Sequence, residues 1–140
     1  MHAAPVFSAR QVFERHRQAI TTGAWSELSA LYADDCVVDL PFNLPEPLHL
    51  VGREQLRARF QAATNLPLEL EMRNLVIHET QDPEVVVAEF DYFGRMTESD
   101  RTFTVANVIV MRVRDGQIVA SHDYHNHAIM AQFLGEQPGS

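Results

Sequence analysis

A single cysteine, Cys36, stands in the 140 residues, so no intrachain disulfide can form. It sits in an apolar run and reads as a buried, inert thiol rather than a nucleophile. No apolar stretch approaches the roughly 18 residues of a membrane span. The N-terminus lacks the basic segment and apolar core of a secretory leader, so a cytoplasmic, reducing compartment is expected. Positive charge is also scarce, with 11 Lys and Arg against 19 Asp and Glu and a formal net charge of -8. Nucleic acids and anionic membrane surfaces both select clustered cations, so neither is expected as a partner. Repeats, low-complexity tracts and an interdomain linker are missing too. The length suits one domain, 1–140, which buries roughly 65–70% of its unfolded-chain surface and can hold a core with a pocket.

What is present is a run of helical signals followed by strands. Ser8 can cap a helix to about Thr22, with Val12, His16, Ala19 and Ile20 at helical spacing and Gly23 as the stop. A second helix is expected over 24–33, with Trp25, Leu28, Leu31 and Tyr32 on its buried side. A strand follows over 36–42, then a proline-broken loop over 43–47 that is a candidate lid. A third helix opens at Gly52 and runs to about Ala63, with Leu56 and Phe60 facing the core. Strands are expected over 66–80, 84–96, 101–114 and 117–127. In the first of these, Leu68, Leu70 and Met72 alternate with Glu69, Glu71 and Arg73, the period of a half-buried antiparallel strand. Asp115-Gly116 is a hairpin turn signal. A short helix over 128–134 and a frayed end over 136–140 complete the pattern. Helices followed by a strand meander give an α+β fold. Long twisted strands can curl around the helices into a cone with a cavity.

Several polar residues stand where apolar ones are the rule. After the acidic turn at Asp34-Asp35, Asp39 is the one carboxylate among apolar neighbours in the strand over 36–42. On the last strand Ser121, Asp123, His125 and His127 share one face, and His122, Tyr124 and Asn126 the other. Asn107 interrupts the apolar row Val105, Ile109 and Met111 and offers an amide to a ligand. A desolvated acid has its pKa raised toward neutrality and can then move protons. His125, His127 and Asp123 also invite a metal reading, but their spacing is only moderately specific and no metal is assigned.

Four stretches carry a family resemblance: 22–25, 31–41 ending in Asp39-Leu40-Pro41, 51–56, and 113–119. Their order and spacing resemble the nuclear-transport-factor-2-like superfamily, and within it the ketosteroid-isomerase and SnoaL-like polyketide-cyclase group. The segments 78–83 and 123–126, with Phe133-Leu134-Gly135, are similar to the phenazine-biosynthesis A/B proteins, which place an acidic residue where this chain has Asp123. The resemblance implies a cone-shaped, mostly antiparallel sheet wrapped around three N-terminal helices. It also implies dimerisation through the convex sheet face and chemistry without a cofactor. By the same resemblance Asp39 matches a general base, His16 matches a hydroxyl donor, and Asp123 points inward. Ile109 replaces the second oxyanion acid of the isomerases, which counts against a true steroid isomerase.

The expected function is acid–base catalysis of isomerase or lyase type on a small hydrophobic carbonyl compound, in a natural-product setting. Asp39 or Asp123 is expected as acid or base, His125 and His16 as donors, and Asn107 as a carbonyl contact. Trp25, Phe42, Phe60, Met72, Met111 and Tyr92 supply the walls. A non-catalytic binding or dimeric scaffold protein of the same fold is the competing reading. Geometry discriminates between them: the enzyme reading gains if Asp39 and Asp123 face one cavity within about 10 Å, and loses if either points to solvent.

Overall fold

A computed structural model gives the fold and describes residues 6–132. The Phe133-Leu134-Gly135 similarity, the end of the expected terminal helix and the expected fraying over 136–140 lie outside the described residues. The first helix, α1 (Ala9–Thr22), starts at a capping box. The Ser8 hydroxyl accepts from the Gln11 amide, and the Gln11 side chain accepts from the Ser8 amide. Gly23 closes it in the left-handed conformation at φ 71°. Its apolar stripe buries Val12, Phe13, Ala19 and Ile20 together with one polar residue, His16.

The second helix, α2 (Trp25–Ala30), is shorter than its periodicity suggests. Tyr32 and Ala33 belong instead to β1 (Tyr32–Leu40), because the Leu31 carbonyl and Tyr32 are captured by Ile118 of the last strand. Tertiary pairing thus overrides a local helical pattern. The loop over 43–47 leads to β2 (Leu48–Val51), a short strand that the sequence does not announce and that pairs antiparallel with β1. Next come α3 (Arg53–Ala63), β3 (Leu68–Glu79), β4 (Val85–Met96), β5 (Thr102–Arg114), β6 (Gln117–His125) and the short α4 (His127–Met130).

The six strands form one sheet in the order β2-β1-β6-β5-β4-β3, antiparallel except for the β1–β6 pair. Asp115 at φ 52° and Gly116 at φ 77° make the β5–β6 hairpin. The β3–β4 register shifts between Arg73 and Val76, with Asn74 at φ 58°. That bulge lets Leu75 and Ile77 continue the apolar side begun by Leu68, Leu70 and Met72, and bulges bend strands. The sheet curves, and the helices pack on its inner face. Val86, Ala88, Phe90, Val105, Ile109, Met111 and Ile118 from the sheet meet Val12, Phe13, Leu28 and Leu56 from the helices.

Gly94 on β4 marks a close approach. A Cβ there would fall inside the contact envelope of the Phe103 ring on β5, its Cα partner. Phe103 is only 5% exposed and has little room to retreat. Gly94→Ala is therefore expected to lower unfolding stability by about 1–3 kcal/mol, the cost of overpacking a closed core. Chemical denaturation of both forms measures it, and an unchanged midpoint refutes the packing argument.

Candidate functional site

A cavity of about 390 Å³ lies between the helices and the inner sheet face. Its walls are mostly apolar: Ile20, Trp25, Leu28, Val38, Leu40, Leu50, Leu56, Phe60, Leu70 and Ile109. Asn43 and Leu44 of the proline loop line it as well, so the candidate lid borders the cavity. Trp25 and Tyr32 flank Phe60 with ring centroids 6.1 and 6.0 Å away. The titratable groups in the lining are His16, Tyr32, Arg59, Tyr92, Asp123, His125 and His127.

Strand alternation sets which side chains of β6 enter. Asp123 pairs with Ile109 and His125 with Asn107 across the β5–β6 ladder, so both face inward. Asp123 is only 15% exposed at its side chain. Desolvation pushes its pKa up to about 6, against smaller opposing effects from the Ser121 hydroxyl, His122 and Arg59. The Ser121 hydroxyl donates to Asp123 Oδ1. His125 Nε2 lies 4.0 Å from Asp123 Oδ2. Desolvation, helped by the charges of His127, Arg59 and His16, pulls His125 down to about 4. An ion pair would move the two groups in the opposite directions. Burial disfavours the charged form of both: His125 is neutral at neutral pH, while Asp123 loses its proton near pH 6, close enough to neutrality to take one up and give it back.

Asn107 fixes the imidazole. Its Nδ2 donates to the Val105 carbonyl at 2.7 Å, which turns its Oδ1 toward His125 Nδ1. A neutral His125 must then donate from Nδ1 and keep a lone pair on Nε2, toward Asp123. Asn107 is thus a positioning residue with both ends of its amide engaged. It does not line the cavity, which corrects its expected role as a carbonyl contact. His125 likewise becomes an acceptor at Nε2 rather than the expected donor.

His16 reaches the cavity from α1 and stacks on Phe13 with centroids 5.5 Å apart. Burial pulls its pKa down to about 4, so the ring is neutral. Its Nδ1 is covered and unpartnered, which leaves Nε2 to address a ligand. Tyr32 and Tyr92 supply two phenols. Desolvation and the nearby Asp123 charge push both above the ordinary tyrosine range, which keeps them protonated. Neither hydroxyl has a hydrogen-bond partner among the described residues, so both are free donors to a guest. The spacing of Tyr32 from Leu28 reads as a helical core position, so the sequence pattern does not mark it as a site residue.

Four further expectations are corrected. Asp39 alternates with the inward Val38 and Leu40 and points to the outer sheet face. There it contacts His49 Nδ1 and lies 3.5 Å from His122 Nε2, its partners in register on β2 and β6. The condition that both acids face one cavity is therefore not met. Phe42 follows the end of β1 in a turn, is 63% exposed and packs its ring on Tyr124. Met111 lies closer to the β5–β6 hairpin than Ile109 and is sealed in solid core. Met72 packs half-buried against the core on the edge strand β3 and stays out of the lining.

Arg59 was not anticipated. It stands at helical spacing within the stripe Leu56, Phe60 and Ala63, all of which line the cavity, and that spacing was its available signal. Among the described residues no group of three or more His, Cys, Asp or Glu is arranged to hold a metal ion. No helix among them is long and apolar enough to cross a membrane.

The family model for the SnoaL-like domain matches residues 13–121. The chain belongs to the SnoaL-like family. A Pseudomonas aeruginosa relative, the uncharacterized PhzA/B-like protein PA3332, is 25% identical over 131 residues, 91% of each chain. A Bacillus subtilis structure solved under the provisional name of isomerase superposes with a TM-score of 0.82 at 19% identity, covering 91% of this chain and 92% of that one. A Pseudomonas putida structure provisionally named as a polyketide cyclase gives 0.74 at 17% identity, covering 90% and 97%. At these identities the two structures speak for the fold alone. The SnoaL-like chain therefore has the α+β, nuclear-transport-factor-2-like architecture that its motifs resemble.

Proposed function

We propose that this SnoaL-like protein is a cofactor-free acid–base enzyme acting on a small, largely apolar carbonyl compound. The supporting observation is a carboxylate with a pKa near 6, Asp123, held in an apolar cavity beside two phenols that have no hydrogen-bond partner among the described residues. In this reading Asp123 takes a proton from carbon next to the carbonyl. Tyr32, Tyr92 or His16 donates a hydrogen bond to the enolate oxygen. Returning the proton at a different carbon is isomerisation, loss of a β-hydroxyl is dehydration, and attack of the enolate on a second carbonyl is cyclisation. The chain contains no lysine, so a lysine Schiff base is not available and carbonyl activation falls to hydrogen bonding.

The protein should accelerate the isomerisation of a β,γ-unsaturated cyclohexenone, or the ring opening of nitrobenzisoxazole, well above an equal concentration of acetate. Loss of that acceleration in Asp123→Asn supports the reading. No acceleration of either probe overturns it in favour of a non-catalytic binding protein, the reading favoured by the outward orientation of Asp39. A natural-product pathway is the setting we infer from the relatives. We also infer a homodimer joined through the outer sheet face, where Phe42, Val51 and Val76 are exposed. Light scattering after size exclusion should give twice the 15.9 kDa chain mass, and a monomer at micromolar concentration contradicts that interface.

A further inference from the structure

Proton transfer to a neutral ketone makes no use of Arg59. This arginine lies on α3 at the cavity edge, exposed to solvent on one side and lining the cavity on the other. Its helix neighbours are both neutralised: Arg53 holds Asp34 and Arg57 holds Glu54, each at 2.8 Å. Among the described residues Arg59 has no carboxylate within the 4.0 Å of an ion pair. The chain carries 19 acidic residues against 11 cations, so the lack of a partner does not reflect a shortage of carboxylates. Packing against the lining partly desolvates the guanidinium and draws its pKa down, while the more distant Asp123 charge opposes this. A polar group without a partner lies within reach of its field. Among the described residues His127 Nε2 is buried without a partner, and Arg59 adds to the burial that pulls the His127 pKa down. On its cavity side the guanidinium is partly dry and faces no carboxylate among the described residues, so the anion of a guest can meet it there without displacing a protein partner. Its planar fork matches a carboxylate in two parallel hydrogen bonds.

We propose that Arg59, with His127 beside it, forms a carboxylate subsite, so that the natural substrate is an apolar acid whose carboxylate sits at Arg59 while its body fills the cavity. The subsite deepens the acid–base reading of Asp123 by naming the substrate class, yet binding at Arg59 can be measured without any turnover. The acid would enter against a net charge of -8, so one local cation has to outweigh a repulsive background that salt screens.

The test uses naphthylacetate, phenylbutyrate and decanoate, each against its own neutral amide, titrated calorimetrically at pH 8 and low ionic strength. At least one acid is expected to bind the wild type about 10-fold or more tightly than its amide, as for a charge-assisted pair. Arg59→Gln should bring that acid down to the affinity of its amide and leave the amide unchanged. Arg59→Lys should keep part of the preference. Acids that bind no better than amides, including no binding by either, overturn the proposal. Equal weakening of acid and amide in Arg59→Gln overturns it too, since that reports a structural role. Asp123→Asn should bind the acid as well as the wild type or better, because one negative charge is gone. Failure of the acid–base reading is seen separately, as unchanged turnover in Asp123→Asn.

Discussion

Asp123→Asn is expected to lower turnover of an isomerisable ketone by about 100-fold or more, the usual contribution of a positioned general base. Asn keeps the shape and can still accept from the Ser121 hydroxyl, but it cannot take up a proton. The effect should fall on kcat, since the amide fills the same space and leaves the apolar walls to bind as before. The wild-type pH profile carries the complementary signature. A base has to be ionised to act, so kcat/KM should rise with an apparent pKa near 6 and level off above it. Asp39→Asn is the contrasting variant. Its carboxylate faces away from the cavity between His49 and His122, so turnover should change by no more than about twofold. An Asp39 variant that loses activity while Asp123→Asn keeps it reverses the assignment. Unchanged turnover in both leaves a binding protein.

The contrast between the two acids also shows what the chain discloses by itself. Alternation along 121–127 groups Ser121, Asp123, His125 and His127 on one face, and the structure keeps all four on the cavity side. Alternation does not say which face is inner; that came from the resemblance, since the opposite face carries an equally polar His122, Tyr124 and Asn126. The orientation of Asp39 is obscured in the sequence for a related reason. It is flanked by Val37, Val38 and Leu40, so the end of β1, bordered by strands on both edges, reads as a continuous apolar run interrupted by Asp39 alone. The informative signal was parity: Cys36, Val38 and Leu40 form the buried set, which leaves Asp39 on the other side. The α2–β1 boundary and the four-residue β2 depend on partners over 70 residues away or on a neighbouring hairpin arm, which local propensity does not register. Arg59 was hidden by its charge. A cation within an apolar stripe is read as a snorkelling side chain, and only a fold with a hollow behind that stripe gives it a ligand to meet.

Asp123→Asn should also stabilise the protein, and by an amount that depends on pH. The Asp123 pKa is near 6 in the folded chain against 3.8 for a freely solvated aspartate. A carboxyl whose folded pKa is raised binds its proton more tightly in the folded state. Its contribution is therefore fully present below about pH 4 and is lost as pH rises through 6. Above that, keeping the ionised acid in the cavity costs about 3 kcal/mol, from two pKa units at 1.36 kcal/mol each. Asn removes this cost, so the variant should melt several degrees above the wild type at pH 8, at roughly 3 °C per kcal/mol for a chain of this size. The gap should close by about pH 4. His16 and His125 titrate in the opposite sense. Their folded pKa values are held near 4 against 6.5, so the stability they contribute is present above 6.5 and lost as pH falls through 4. Both proteins should therefore soften in acid, while the difference between their melting points isolates Asp123. A stabilised Asn variant that has lost turnover is the expected mark of an acid kept in an unfavourable place for chemistry. An Asn variant no more stable than the wild type at pH 8 would mean that Asp123 is well solvated, and its raised pKa, with the catalytic role built on it, would fall.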